Sequence, residues 1–264
     1  MAVELKNHTP SLYLFGDSFS VVGPTKNRTP NPIIPDWQWN VSLANRLGMD
    51  LQPIAEFGTS NDWILLMVTQ RLHQFKSGDV VIVQTTDAQR YWFFEDDPSI
   101  SNPSSSKYIS TEKQTAVKLY WKHLHTNDKD QLRHEANYAY LNTLKWICSN
   151  IGVKLIILPG FSLPSLFPIA GPAINGTLQT VSSGEFVNKR AGEEWYDRPK
   201  TPDQRLNHLS QHNHKIISER LFAHINQDKD LDFTTGYLQN YLSVDTQQAE
   251  QLNPEPIQYT VQGE

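Results

Sequence analysis

The feature that most constrains this chain is the run Leu12-Tyr-Leu-Phe15, which stops abruptly at Gly16-Asp17-Ser18. Four successive apolar, strand-forming residues suit a strand buried on both faces, as in a parallel sheet sandwiched between helices. Glycine after such a run permits a sharp turn, and the small polar residues that follow suit the start of a helix. Ser18 then stands at the carboxyl end of a strand, where open α/β sheets bind their ligands. A helix opening there is expected to turn unpaired N–H groups toward developing negative charge. The hydroxyl becomes a nucleophile only if another part of the chain supplies a base, and capping a helix is its competing role.

The same strand-to-helix crossing recurs along the chain. A short strand at Leu51–Ala55 leads through Glu56-Phe-Gly-Thr-Ser-Asn-Asp62 into an apolar helix beginning at Trp63. Val80-Val-Ile-Val83 is the clearest buried strand and opens into Gln84-Thr-Thr-Asp-Ala-Gln-Arg90. Val153–Leu158 is another strand, stopped by Pro159-Gly160. Further helices are expected from Asp36, as N-cap, to a close at Gly48, then from about Thr115 to Asn150 with a break near 127–130, and from Leu209 to Ala223. Strands alternating with helices predict a three-layer α/β/α sandwich around a mostly parallel, flavodoxin-like sheet of about five strands. One domain is expected over 1–225, with insertions at 21–36, 91–114 and 160–205 and a C-terminal extension at 226–264. Four prolines between residues 24 and 35 exclude regular structure from the first insertion.

Composition narrows the function classes. The 264 residues include 38% apolar side chains, and no run approaches the ~20 apolar residues of a membrane span. A formal charge of −5 and the lack of any Lys/Arg cluster leave no footprint for nucleic acid. No basic stretch followed by an apolar one opens the chain, so the expected location is cytoplasmic, or virion-associated if the gene is a phage's. A single cysteine, Cys148, forbids an intrachain disulfide, and its amphipathic surroundings predict a buried, inert thiol.

The base that Ser18 needs has a candidate far along the chain. His208 follows a loop and precedes Leu209-Ser210, where a helix is expected to begin. Neutral imidazole at such an entrance can face a neighbouring strand end and accept a hydroxyl proton near neutral pH. Gly16-Asp17-Ser18 on the first strand, Gly58 after the second and His208 before the last helix, taken in that order, resemble the GDSL/SGNH hydrolase family. The similarity spans roughly residues 11–225, and Gly58-Thr-Ser-Asn61 with long insertions also resembles hydrolase-like proteins of bacteriophage genomes. The resemblance implies Ser18 as nucleophile, His208 as general base and acid, and the N–H groups of Ser18 and Gly58 as oxyanion donors. It implies no metal and no organic cofactor.

Two departures from the family's pattern shape the rest. The family's aspartate three positions before the histidine is Arg205 here, so Asp203 is the nearest carboxylate to orient His208, or a backbone carbonyl does so. The family's Gly-x-Asn-Asp after the third strand is replaced by Thr85-Thr86-Asp87, so Asn61, Thr86 or Arg90 would supply the missing side-chain donor. Asn61 ranks first because it closely follows Gly58. Asp17, Thr86 and Arg90 are also expected to contact substrate. The expected substrate is a small-molecule or glycan ester, with an O-acetylated carbohydrate the finer reading. The rival is a non-catalytic binding or structural protein of the same fold, such as a phage-particle component. His208, His212 and His214 suggest zinc, but no His-Glu-x-x-His pattern supports it. Trp37, Trp39 and Trp92-Phe-Phe94 are read either as core packing or as a platform for a sugar ring.

Overall fold

Four of the apolar runs pair into one sheet. A computed structural model describes residues 9–22, 36–56, 58–87, 90, 92, 112, 115, 116, 118, 119, 122, 129–161, 172–181, 209 and 211–237. Strands β1 (Ser11–Gly16), β2 (Asp50–Ala55), β3 (Val80–Thr85) and β4 (Lys154–Pro159) lie in the order β2-β1-β3-β4. All three pairings are parallel, with Gly16 opposite Ala55, Phe15 opposite Val83, and Thr85 opposite Pro159. This is the flavodoxin-like order, in which β1 and β3 flank the switch point and ligands sit beyond their carboxyl ends. The sheet thus holds four strands among the described residues, where about five were expected.

Chain contacts divide the molecule into two units, one of residues 1–33 and 44–170 and the other of 34–43 and 171–264. In the first, α2 (Asn61–Arg71) and α3 (Lys129–Asn150) cover one sheet face. Alternate strand residues Tyr13, Phe15, Val81, Val83 and Ile157 meet Ile64, Val68, Leu141, Leu144 and Cys148 there. The opposite face, with Leu12, Leu14, Ile82 and Leu158, is equally closed to water. That double burial explains why the strands read as unbroken apolar runs rather than alternating ones. Each such side chain contributes ~1.5–3 kcal/mol of burial. At the amino end of the sheet, the buried Asp79 carboxylate accepts the N–H groups of Ser11 and Lys76, both at 2.8 Å.

Helix α1 (Trp39–Leu47) starts later than expected. Its first bond runs from the Ser42 N–H to the Gln38 carbonyl, so Gln38 and not Asp36 holds the cap position. Gly48 ends it with φ +65°, while the Gly48 and Met49 N–H groups return to the Asn45 and Ala44 carbonyls. That is a Schellman close, and it needs glycine for its left-handed residue.

The second unit contains α4 (Gln211–Gln227) and a parallel pair, β5 (Ile174–Asn175) and β6 (Leu231–Asp232). β6 falls in the stretch read as an extension. Most of the three expected insertions lies outside the described residues.

Candidate active site

The turn after β1 is built by contact rather than by unusual backbone angles. Gly16 has no positive φ, but a Cβ there would stand 2.5 Å from Gln84 Oε1 and 2.8 Å from Ser20 Oγ. Glycine is therefore required by close approach. Gln84 is fully buried, and its Oε1 accepts the Asp17 N–H at 3.0 Å and the Ser20 hydroxyl at 2.8 Å. The Ser20 N–H bonds the Asp17 carbonyl at 2.9 Å, closing a single turn.

The helix expected to open at Ser18 is not there. Residues 17–20 form a turn, so Ser18 caps no helix and no helix dipole acts on its N–H group. Asp17 Oδ1 takes the Phe19 N–H at 3.0 Å, and two β-branched valines followed by Gly23-Pro24 discourage helical continuation. Ser18 itself is 8% exposed.

The Asp17 carboxylate, wholly buried, ties β1 to β3. Its Oδ2 accepts the Thr86 hydroxyl at 2.7 Å and Arg90 Nη1 at 2.7 Å. Arg90 Nη1 also donates to Thr86 Oγ1 at 2.6 Å, and its guanidinium lies 4.7 Å over the Phe161 ring just past β4. Phe161 meets Phe19 edge-on at 5.5 Å. Arg133 on α3 donates to the Arg90 carbonyl at 3.1 Å. A buried carboxylate is tolerable only when paired and hydrogen-bonded in this way.

The β2–α2 turn joins the same cluster. Gly58 has φ +67°, a left-handed residue that favours glycine. The Gly16 carbonyl accepts the Glu56 N–H at 3.3 Å and the Thr59 hydroxyl at 3.4 Å. Ser60 caps α2 by accepting the Trp63 N–H at 3.3 Å. Asn61 pairs with the backbone of Thr86 in both directions, accepting its N–H at 2.9 Å and donating to its carbonyl at 3.2 Å. The carboxyl ends of β1, β2 and β3 are thereby cross-linked by polar side chains.

Of the residues singled out from the sequence, Asp17, Ser18, Gly58, Asn61, Thr86 and Arg90 thus stand on these three strand ends. Asp17, Thr86 and Arg90 bond one another. His208, Asp203 and Arg205 lie outside the described residues, as do Phe93 and Phe94. Sequence reasoning missed Gln84, Thr85, Phe161 and Arg133. Gln84 alone left a trace, as a polar residue prolonging an apolar strand.

His212 is exposed, whereas His214 is buried and accepts the Trp39 N–H at Nδ1, 3.2 Å away. The two therefore share no face, and among the described residues no three His, Cys, Asp or Glu side chains group to hold a metal. Trp39 is fully buried and Trp92 packs against the core, so packing is the role of both. Cys148 is buried, and desolvation pushes its thiol up to about 11. No helix among the described residues is long and apolar enough to cross a membrane.

These strand ends define an α/β protein that carries Ser18 at the switch point of a parallel sheet. No family model matches the sequence, and no curated protein matches it either. Solved structures resemble it at low identity. One is Est24, a carbohydrate acetylesterase from Sinorhizobium meliloti, at 13% identity and TM-score 0.37, covering 83% of this chain and 99% of that one. Another is an aryl esterase of M. smegmatis with inhibitor bound, at 12% and 0.39, covering 83% and 100%. A third, from Bacteroides uniformis and described as GDSL-like lipase, matches at 11% and 0.38, covering 84% and 97%. The functional reading is carried by this chain's own site residues.

Proposed function

We propose that this protein is a serine ester hydrolase working through an acyl-serine intermediate. The observation that carries this reading is the anchoring of the Ser18 turn. Asp17 and Gln84 fasten it to β3, and the Gly16 carbonyl fastens it to the Gly58 turn. A nucleophile has to be held this firmly if its hydroxyl is to meet a carbonyl carbon in one geometry.

In the proposed reaction, Ser18 Oγ attacks the ester carbonyl while His208 removes its proton. The tetrahedral oxyanion rests on the N–H groups of Ser18 and Gly58, with the second N–H of the Asn61 amide as a further donor. One such donor is worth ~3 kcal/mol of barrier. Collapse expels the alcohol, which takes the proton from His208. Water, deprotonated by His208, then attacks the acyl-serine and releases the acid. Asp203 orients the imidazole. Asp17, Thr86 and Arg90 act by fixing the turn. The substrate class is an esterified carbohydrate, a reading supported by the aromatic residues of the long segment after β3.

Arg205 and the absence of a third-block asparagine favour a second reading, a binding protein that keeps the fold without turnover. A fluorophosphonate probe separates the two. Labelling of the wild type and its loss in Ser18→Ala are expected. A folded wild type that takes up no label refutes the hydrolase.

A further inference from the structure

Arg90 spends only one of its guanidinium nitrogens on the Ser18 turn. Its bonds to Asp17 Oδ2 at 2.7 Å and to Thr86 Oγ1 at 2.6 Å both leave from Nη1. A guanidinium sets its N–H donors in a rigid planar fork. The side edge of that fork, Nε with Nη2, has no hydrogen-bond partner among the described residues, and Asp17 is the one described carboxylate paired with the group. Arg133, which donates to the Arg90 carbonyl at 3.1 Å, already has the Asp62 carboxylate at 3.6 Å.

The free edge belongs to a group that is held in place beside the nucleophile. The Asp17 bond fixes one end of the guanidinium plane, and the Phe161 ring lies 4.7 Å from its centre. Asp17 precedes Ser18, and Phe161 meets Phe19, which follows Ser18, edge-on at 5.5 Å. The guanidinium thus bonds one sequence neighbour of Ser18 and reaches the other through a single ring. Its side chain keeps 18% exposure, so it is not sealed into the core. Fastening the turn needs one cationic N–H, which lysine would supply. A stacked planar fork is needed where a planar acceptor with two oxygens is to be bound.

We propose that the free edge of Arg90 binds a carboxylate on the substrate, so that the ester cleaved at Ser18 carries a negative charge, as an ester of an acidic sugar does. Parallel N–H···O bonds from Nε and Nη2 match the two oxygens of a carboxylate, a fit that a single hydroxyl does not reproduce. The inference rests on the ester-hydrolase reading.

The test measures kcat/KM on p-acetoxybenzoate and on p-acetoxybenzamide, which differ in charge and hardly in shape. The wild type is expected to prefer the anion about tenfold or more, chiefly through KM. That preference should shrink as salt is raised. Mono-p-nitrophenyl succinate against p-nitrophenyl butyrate places the carboxylate on the acyl side instead. Preference within either pair supports the proposal and tells which half of the substrate carries the charge; none in both overturns it. Arg90→Lys keeps a cation for Asp17 but has no fork, and its anion-to-neutral ratio should fall about tenfold. Each ratio compares two substrates on one protein, so a loosened turn lowers both rates and leaves the ratio alone. An unchanged ratio in Arg90→Lys overturns the proposal. Should that variant not fold, Phe161→Leu removes the ring against the guanidinium, and its ratio should fall about threefold; an unchanged one is equally fatal. If Ser18 takes up no fluorophosphonate and no ester is cleaved, the hydrolase reading itself has failed. Calorimetry with p-hydroxybenzoate and p-hydroxybenzamide then reads the fork without turnover: binding of the anion alone supports it, and binding of neither overturns it.

Discussion

Asp17 and Asp232 carry similar partners in opposite surroundings. Asp17 holds Arg90, the Thr86 hydroxyl and the Phe19 N–H, and Arg90 lies over the Phe161 ring. Asp232 accepts the Thr234 and Thr235 hydroxyls at 2.6 and 2.5 Å, has Arg220 at 4.0 Å, and Arg220 lies over Tyr237. The Asp17 side chain is 0% exposed and that of Asp232 is 31% exposed. With the same chemistry on both sides, burial decides what the cluster does. In water, an ion pair gains little and its rupture costs little. Out of water, each member becomes indispensable to the other. The buried cluster is therefore the one able to fix a turn, and it is the one beside Ser18.

Removing each arginine separates the two clusters most strongly. Arg90→Met leaves a fully buried carboxylate short of its cation, and the expected loss is about 3–5 kcal/mol. Arg220→Met should move the unfolding midpoint by only a small fraction of that, since Asp232 keeps its hydroxyl donors and its solvent. Urea unfolding of the two variants side by side decides the point. Equal losses would mean that burial is not the governing difference. Labelling of Ser18 by fluorophosphonate should disappear in Arg90→Met and persist in Arg220→Met.

Two glycines beside these clusters differ in the same way. A Cβ on Gly16 meets the buried Gln84 amide and Ser20, neither free to yield, because both are bonded into the turn. Gly16→Ala should lose about 1–3 kcal/mol by overpacking, together with Ser18 labelling. Gly236 has φ +75°, and a Cβ there meets only the end of the Arg220 side chain. Gly236→Ala bears a backbone penalty of about 1–2 kcal/mol and should leave labelling untouched. Labelling that survives Gly16→Ala would show that the turn is not what positions Ser18.

What the chain disclosed in advance follows from the same distinction. Leu12–Phe15, Val80–Val83 and Val153–Leu158 were legible as strands because burial on both faces imposes continuous apolar residues, a purely local signal. Gly58 and Gly48 were legible because their turns demand left-handed residues. Gln84 was not, since its meaning lies in bonds to residues 67 and 64 positions away. Thr85 was equally silent: a buried hydroxyl with no partner among the described residues is a property of its surroundings, not of a motif. The helix foreseen at Ser18 ends after a single turn, capped by Asp17 at the Phe19 N–H, because the β-branched valines and the Gly23-Pro24 that follow do not favour continuation.

The smallest effect belongs to Asp232 and is read in its pH dependence. The Thr234 and Thr235 hydroxyls, then the Thr234 N–H and Arg220, hold its carboxyl down to about 2 from an ordinary 3.8. A depressed folded-state pKa means that the folded chain binds this proton less readily than the unfolded one. Its stabilisation is therefore complete above about pH 4 and is lost as pH falls toward 2. Asp232→Asn removes the titration. The wild type's advantage over this variant should be small at pH 7, constant down to about pH 4, and vanish by about pH 2, in Tm measured across that range. A gap that widens on acidification would reverse the sign and show that the hydroxyls favour the protonated acid. A gap as large as that of Arg90→Met would remove the distinction between the exposed cluster and the buried one.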